Sequence, residues 1–370
     1  MIKKTSILIN AANLHNGGAI QVALSFLNEL KNLDTSKYSL LVSSSIHKEL
    51  LGLNFPSQKF NSYVVHDAIG IYSLFDIKYQ QFLQKYFKVF TIFGPIYSWF
   101  RINNSISGFA QPWIIYPNNE LNKSYSIYLK LFLKIKFKLQ WFFFKRNEIL
   151  VVELNHVQDR LIELYNFSNT YVVNNCVSSI FFNKKYWEEI KFKRPDFDIV
   201  IGVPSRDYPH KNLDILPEVS EILSNFYKMS LKFVVTLNEK EWNLKSRKFR
   251  QTVANAGPLL VIQCPHFYKM LDGVILPSLL ECFSATPIEA ISLSKPVFVS
   301  DKLFNRQSCE EHAVYFNPQD SADIAQKIFQ YYNLDLDIRM KKLDQAFSFS
   351  KKFCNPSDRA INYVKIIDSI

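Results

Sequence analysis

The chain has 370 residues, 48% of them hydrophobic and 21% charged, which predicts two globular domains of ordinary size and excludes a disordered chain. Its net charge of +11 asks for an anionic partner: a nucleotide, a phospholipid surface or a nucleic acid. Cys176, Cys264, Cys282, Cys309 and Cys354 have no C-x-x-C or metal-ligand spacing and read as reduced cytosolic thiols, and no run of about 18 uncharged apolar residues exists to span a membrane.

The opening run MIKKTSILINAANL is too short in its apolar part for a signal peptide, so Ser6 to Asn10 read as a first buried strand. A turn from Asn13 to Gly18 leads into a helix from about Ala19 to Leu30. Gly17 and Gly18 either bring backbone close to a phosphate or make a plain tight turn. They do not spell the G-x-G-x-x-G of a nicotinamide dehydrogenase. Further strands are predicted at Tyr38–Val42, Ser62–Val65, Val89–Phe93 and Ile149–Glu153 with helices between them, which predicts a doubly wound parallel sheet. Ligands bind such sheets at the carboxyl ends of the strands, so His15, His66 and Asp67 are candidate site residues; each also suits a turn or a packed position. The segments Phe93–Phe100 and Gly108–Trp113 are aromatic and punctuated by Gly and Pro. They read as a shaped loop able to stack on a ring, with Gln111 the nearest polar residue.

From Lys123 to Arg146 there are seven basic residues and no acidic one. On a helix, Lys123, Lys130, Lys134, Lys138 and Lys145 share an arc of about 80°. The remainder is mostly Leu, Ile, Phe and Trp, more apolar surface than packing on one sheet requires. The readings are a solvated lysine face or, the one favoured, a basic amphipathic helix on an anionic membrane surface, with Phe132, Trp141 and Phe142 at headgroup depth. A strand at Ile149–Glu153, a helix at His156–Tyr165 and an extended run from Thr170 close the first domain. A linker follows from about Ser178 to Pro195.

The second domain opens with a strand at Asp198–Val203 and the loop PSRDYPHKN (Pro204–Asn212), with Asn212 expected to cap the next helix. Lys232–Leu237 is a strand, and Asp320–Tyr332 is an amphipathic helix. Between them lies GVILPSLLECFSATPIEAISLSKPVFVSD (Gly273–Asp301). Val274–Leu276 and Pro296–Val299 read as buried parallel strands. The helix between them is expected to start with Thr286 as N-cap, Pro287 in the first turn and Glu289 completing a capping box. Such a strand-loop-helix turns backbone N–H groups and a positive helix end towards an anion. Asp196-Phe-Asp198 and Asp335-Leu-Asp337 spell D-x-D beside element boundaries and read as chance.

Four segments resemble the GT-B glycosyltransferases of family 4, of the bacterial surface-polysaccharide type. They are V-x-N-x-V at Val173–Val177, the R-x-x-x-x-K-N of Arg206–Asn212, the E-x7-E of Glu281–Glu289 and the YFNPQD of Tyr315–Asp320. The resemblance implies an α/β chain of two Rossmann-like doubly wound parallel-sheet domains facing a cleft. Residues 1–178 would form the acceptor-side domain, 196–352 the nucleotide-sugar domain, and 356–370 a terminal helix returning to the first. It further implies that Glu281 contacts the donor sugar, Glu289 the ribose, and the amides of Phe283, Ser284, Ala285 and Thr286 the diphosphate, whose charge Arg206 and Lys211 neutralise. The fragment GGAIQVAL resembles the family's glycine loop, adding Gly17 and Gly18 to the donor side, while His15, His66 and Gln111 would lie on the acceptor side. The family usually has Gly where this chain has Cys282 and Ser284, and Ser makes close backbone approach harder.

The implied reaction is transfer of a sugar, with retention, from a nucleotide-diphosphate sugar to a lipid-linked or polysaccharide acceptor in cell-surface glycan assembly. No cofactor or metal is implied. Lys130, Lys134 and Lys138 would hold the protein at the cytoplasmic face of the cell membrane. The alternatives are a GT-B nucleotide-sugar epimerase and a non-catalytic basic membrane- or nucleic-acid-binding protein. No RNA or DNA motif supports nucleic acid as a partner.

Overall fold

The computed structural model describes residues 6–353 and 355–370, so Cys354 lies outside the described residues. The other four cysteines are buried thiols. The chain forms two compact units, one of Met1–Ser178 with Cys354–Ile370 and one of Ser179–Phe353.

The first unit is built on short strands; the inner ones are buried along their length, as a sheet covered on both faces demands, and the two edge strands, Ser62–Val65 and Thr170–Val172, only in part. They are β1 (Ile7–Ala11), β2 (Tyr38–Val42), β3 (Ser62–Val65), β4 (Lys88–Thr91), β5 (Ser105–Gly108), β6 (Ile149–Val152) and β7 (Thr170–Val172), in the order β3-β2-β1-β4-β5-β6-β7. Every pairing is parallel. Because right-handed crossovers run to one side from β1 and to the other from β4, the loops leaving these two neighbours diverge and leave a crevice at their carboxyl ends.

Strand β5 lies between the two segments that the sequence presented as a shaped loop, Phe93–Phe100 and Gly108–Trp113, and takes Gly108 from the second. Its residues, SISG, lack the bulk that marks a strand, yet all four are buried. Gly108 is required there, since a Cβ would lie 1.8 Å from the Ile92 carbonyl oxygen.

The helix Pro356–Asp368 completes this unit. Tyr363 sets its ring edge-on to Phe26 at 5.2 Å and against Phe90 at 5.3 Å. Ser357 Oγ donates to Glu29 at 2.9 Å, and the Lys37 ammonium donates to Asp368 at 2.8 Å. The fully buried Arg359 donates to Asn175 Oδ1, the Asn of the V-x-N-x-V segment.

The basic stretch forms one helix, Ile127–Phe144, begun by Ser126, whose side chain accepts from the Leu129 amide. Only Phe143 and Phe144 are fully buried. Phe137 stacks on Trp113 at 5.6 Å and Trp141 on Tyr165 at 4.1 Å, so Trp141 is committed to packing rather than available for insertion. Ile127, Leu131, Phe142, Ile135, Tyr128, Leu139 and Phe132 are exposed and fall within about 140° of one another on the helix. Lys130 and Lys134 lie beyond one edge of that arc, Lys138 just inside it, and Lys136 beyond the other edge. The outward face is thus apolar with lysine edges, rather than a lysine stripe.

The second unit repeats the design with β8 (Ile199–Val203), β9 (Leu231–Val235), β10 (Ala254–Asn255), β11 (Gly273–Leu276), β12 (Val297–Ser300) and β13 (Val314–Phe316). Their order is β10-β9-β8-β11-β12-β13, again with every pair parallel. Phe233 and Phe298 anchor its core. Asn212 does not cap the following helix: it takes a left-handed φ of 55°, and its side chain donates to the Pro318 carbonyl at 2.7 Å. A single 3-10 turn therefore intervenes before the helix Leu216–Asn225.

Replacing Gly108 by Ala must force β4 and β5 apart, and overpacking of this severity costs on the order of 2 kcal/mol or more. The denaturation midpoint of Gly108→Ala is expected to fall accordingly; an unchanged midpoint would contradict the strand assignment.

Candidate active site

In the second unit the diverging neighbours are β8 and β11, so the loops that leave them, residues 204–212 and 277–284, border the crevice where such sheets take ligands. The two loops are joined directly, the Leu279 amide donating to the His210 carbonyl at 2.7 Å. Across this junction Lys211 forms an ion pair and hydrogen bond with Glu281 Oε1. Glu281 is buried, and Lys211 is mostly so. His210, beside them, is held below the usual imidazole value by burial, against the opposing pull of Glu281.

Arg206 is also engaged: its Nε donates to Glu241 Oε1 at 2.9 Å. Glu241 simultaneously closes a capping box with Asn238 at the head of the helix Glu239–Leu244, which fixes its carboxylate. The next residue, Asp207, lies 2.5 Å from the buried ammonium of Lys245, which also reaches Asp214 at 2.9 Å. The loop carrying both candidate cations is therefore held by two carboxylate contacts and one buried lysine. Glu241 and Lys245 were not singled out from the sequence, although N-E-K-E at Asn238–Glu241 is a readable capping box.

The helix after β11 runs from Ala285 to Ser292 with Ser284, not Thr286, at the N-cap. Proline is tolerated anywhere in a first turn, because those N–H groups have no partner within the helix, so Pro287 locates the start only to within a turn. No side chain caps this end. Among the described residues, no backbone acceptor takes the N–H of Phe283, Ser284, Ala285 or Thr286 outside regular structure. Ser284 is extended at φ −129°, and Cys282 does not have positive φ either. Neither position needs glycine for its backbone conformation, so the departures from the family pattern cost no strain.

Glu289 forms no capping box. It is buried in the second turn, where Tyr268 donates its hydroxyl to Oε2 at 2.8 Å. Burial pushes the Glu289 carboxyl up to about 7, with the Tyr268 hydrogen bond only partly opposing it. The same burial and the neighbouring carboxylate hold the Tyr268 hydroxyl well above the usual phenol value.

In the first unit the loops after β1 and β4 meet through Asn13, whose amide donates to the Phe93 carbonyl at 2.7 Å. Gly94, at φ +95°, is needed there, since a Cβ would lie 2.6 Å from the Asn13 amide nitrogen. His15 sits in the first loop, with Nε2 3.1 Å from the Ala68 carbonyl oxygen and Nδ1 3.5 Å from Asp67. Asp67 is in turn held by the Ser44 amide and hydroxyl. His66 forms a separate pair, its Nε2 2.6 Å from Asp76 Oδ2 and its ring parallel to Tyr79. Asp76 escaped the sequence reading; it caps the helix Ile77–Leu83. Gln111 precedes the short helix Pro112–Ile115 after β5, and Gly17, at φ 74°, takes the N-cap of the helix Gly18–Leu30.

Two features define the class of protein: a pair of all-parallel sheets with central switch points, and a charged switch-point site in the second. The fold is that of the GT-B glycosyltransferases, as solved structures show. Anabaena Alr3699/HepE in complex with UDP-glucose aligns with a TM-score of 0.72 at 13% identity, over 99% of this chain and 100% of that one. A glycosyltransferase from Rickettsia africae ESF-5 aligns at 0.68 and 15% identity over 98% of both chains. More particularly, residues 187–347 match the family model of glycosyl transferases group 1, a span that includes Arg206, Lys211, Glu281 and Glu289. The chain is 22% identical over 213 residues to the O-antigen chain mannosyltransferase RfbU of Salmonella typhimurium, covering 55% of this chain and 54% of that protein. It thus spans about half the length of the curated relative it matches.

The raised Glu289 carboxyl makes stability depend on pH. The folded protein keeps a proton up to about 7, whereas the unfolded chain releases it near 4.5. This group's contribution is therefore full below the unfolded value and lost as pH rises through the folded one, at up to about 1.4 kcal/mol per pH unit. Melting temperatures measured between about pH 5 and pH 8 are expected to fall more steeply for the native protein than for Glu289→Gln. Parallel curves would refute the shift.

Proposed function

We propose that the chain is a nucleotide-sugar-dependent glycosyltransferase, acting with retention on a lipid-linked or polysaccharide acceptor in cell-surface glycan assembly (O-antigen, capsule or lipopolysaccharide). The observation that carries this reading is the Lys211–Glu281 pair at the β8–β11 switch point, beside the uncapped helix that bears Glu289. An incoming diphosphate would compete with Glu281 for Lys211, take Arg206 as its second cation and accept from the free amides of residues 283–286. Glu281, released from Lys211, would then accept from sugar hydroxyls, and Glu289 from those of the ribose. As the glycosidic bond to the diphosphate breaks, the same cations and amides stabilise the charge that develops on the leaving group. Gly17 and Gly18 are assigned to the donor side of the first unit, and His15, His66 and Gln111 to the acceptor side. The group 1 match and the O-antigen relative support a glycan acceptor.

The helix Ile127–Phe144 supports a location at a membrane surface. Its exposed apolar arc with lysine edges suits the surface of an anionic bilayer, with Phe132 and Phe142 inserted and Lys130, Lys134 and Lys138 at the headgroups. Among the described residues, no helix is long and apolar enough to cross a membrane. The protein would act peripherally on the cytoplasmic face.

Titration with a panel of nucleotide-diphosphate sugars tests the donor assignment. Lys211→Ala and Glu289→Ala are expected to weaken donor binding by tens- to thousandfold while circular dichroism stays unchanged, since loss of one member of a buried charged contact costs about 2–5 kcal/mol. Normal donor affinity in both variants would sink the reading. Because side chains and amides meet the diphosphate charge, turnover should survive EDTA. Loss of activity that Mg²⁺ or Mn²⁺ restores would show that a metal ion is needed.

A further inference from the structure

A second exposed apolar element of the first unit lies outside the lysine-edged helix and contributes none of the candidate donor-site residues. It is the 3-10 turn Gly70–Phe75 with its flanks, joined by Trp99. Tyr72, Phe75, Ile77 and Trp99 are 73%, 72%, 69% and 66% exposed, and Ile69 is exposed as well.

These side chains are displayed by a fixed scaffold. The buried Gln80 donates to the Ser73 carbonyl at 2.7 Å and the Tyr97 carbonyl at 2.9 Å, tying the turn to the loop after β4. Ser73 Oγ closes the turn on the Gly70 carbonyl at 2.6 Å. Trp99 donates its indole N–H to the Leu74 carbonyl at 2.6 Å and meets Phe75 edge-on at 5.9 Å. With its N–H already satisfied, the indole can enter an apolar layer without leaving a bare donor.

The element is also continuous with the helix Ile127–Phe144. Leu74, Tyr97 and Phe143 pack together, and Arg146, just beyond that helix, donates to the Ser98 carbonyl at 2.7 Å. Its net charge is positive. Between Ile69 and Arg101 the exposed cations are Lys78, Lys85 and Arg101, Lys88 being buried on the Ile367 carbonyl, against a single acid, Asp76, which is paired with His66. A second copy of the chain seated face to face here would confront these cations, and the lysines of the helix, with their own kind. An anionic bilayer would complement them.

We propose that residues 69–77 and Trp99 form a second, uncharged anchor that inserts into the same bilayer as the helix Ile127–Phe144. The inference rests on the peripheral membrane reading above and adds a contact that salt does not screen. Because Asp76 lies between the inserting Phe75 and Ile77, this anchor holds the His66–Asp76 pair at the headgroup layer, where the polar end of a lipid-linked acceptor lies.

Vesicle sedimentation of the full chain separates the two anchors. In high salt on neutral phosphatidylcholine vesicles, Tyr72→Ser/Phe75→Ser is expected to bind at least about tenfold more weakly than the native protein. The Lys130→Gln/Lys134→Gln/Lys138→Gln variant should lose only the salt-sensitive gain seen on phosphatidylglycerol-containing vesicles. Bromine-labelled lipids should quench tryptophan fluorescence in the native protein and less so in Trp99→Phe, a measurement that needs no destabilising change. Equal binding of the Tyr72/Phe75 variant and the native protein to neutral vesicles overturns the proposal. So does a native dimer that this variant converts to monomer without altering vesicle binding. An unaffected lysine variant beside a defective Tyr72/Phe75 variant would remove the helix from the membrane reading and leave the second anchor standing.

Discussion

Withdrawal of charge from water governs the second unit. Lys211, Lys245, Glu281 and Glu289 all lie largely or wholly out of solvent, and a side chain so placed must find a partner or surrender its charge. Lys211 takes Glu281, and Lys245 takes Asp207 and Asp214. Glu289 has only a tyrosine hydroxyl and titrates near neutrality instead. The loop after β8 takes its shape from these pairings rather than from glycine, which a chain with only 9 glycines has little of to spend. A resting site already neutralised within itself is stable without ligand, yet its bonds can be exchanged for those of an anion of matching charge.

The sheets were legible because buried parallel strands announce themselves as short apolar runs, as at Tyr38–Val42 and Gly273–Leu276. Strand β5 was not, because SISG is small and polar and is held by Gly108's contact with Ile92, a tertiary fact with no local signature. Glu281, Glu289, Arg206 and Lys211 were singled out through their resemblance to family motifs, but nothing in the spacing says that Lys211 rests on Glu281 or that Tyr268 meets Glu289. Those pairings join residues 70 and 21 positions apart. Asp76 and Glu241 were hidden for a related reason: each doubles as a helix cap, and a capping carboxylate looks ordinary in sequence.

In the helix Ile127–Phe144 the lysines are exposed, as the periodicity expects, but they do not fill the outward face. Five lysines within about 80° suggested the outward face. Packing sets the rest: Phe137 and Trp141 turn inward onto Trp113 and Tyr165, which rotates the lysines to the margins and leaves apolar residues between them. Aromatic pairs of this kind are worth more than their area alone, enough to select the inward face of a helix with several apolar choices.

The terminal helix has a consequence for how the chain is made. Tyr363 fills the space between Phe26 and Phe90, and Arg359 ties to Asn175, so the first unit's core stays open until residues 356–368 have left the ribosome. The second unit, a continuous stretch from 179 to 353, has all its strands before then and can fold in the meantime. During synthesis the nascent first unit therefore waits, with apolar surface uncovered, through the whole translation of the second. A ribosome that stalls in that interval would release a chain whose second unit is folded and whose first unit is a target for chaperones and proteases.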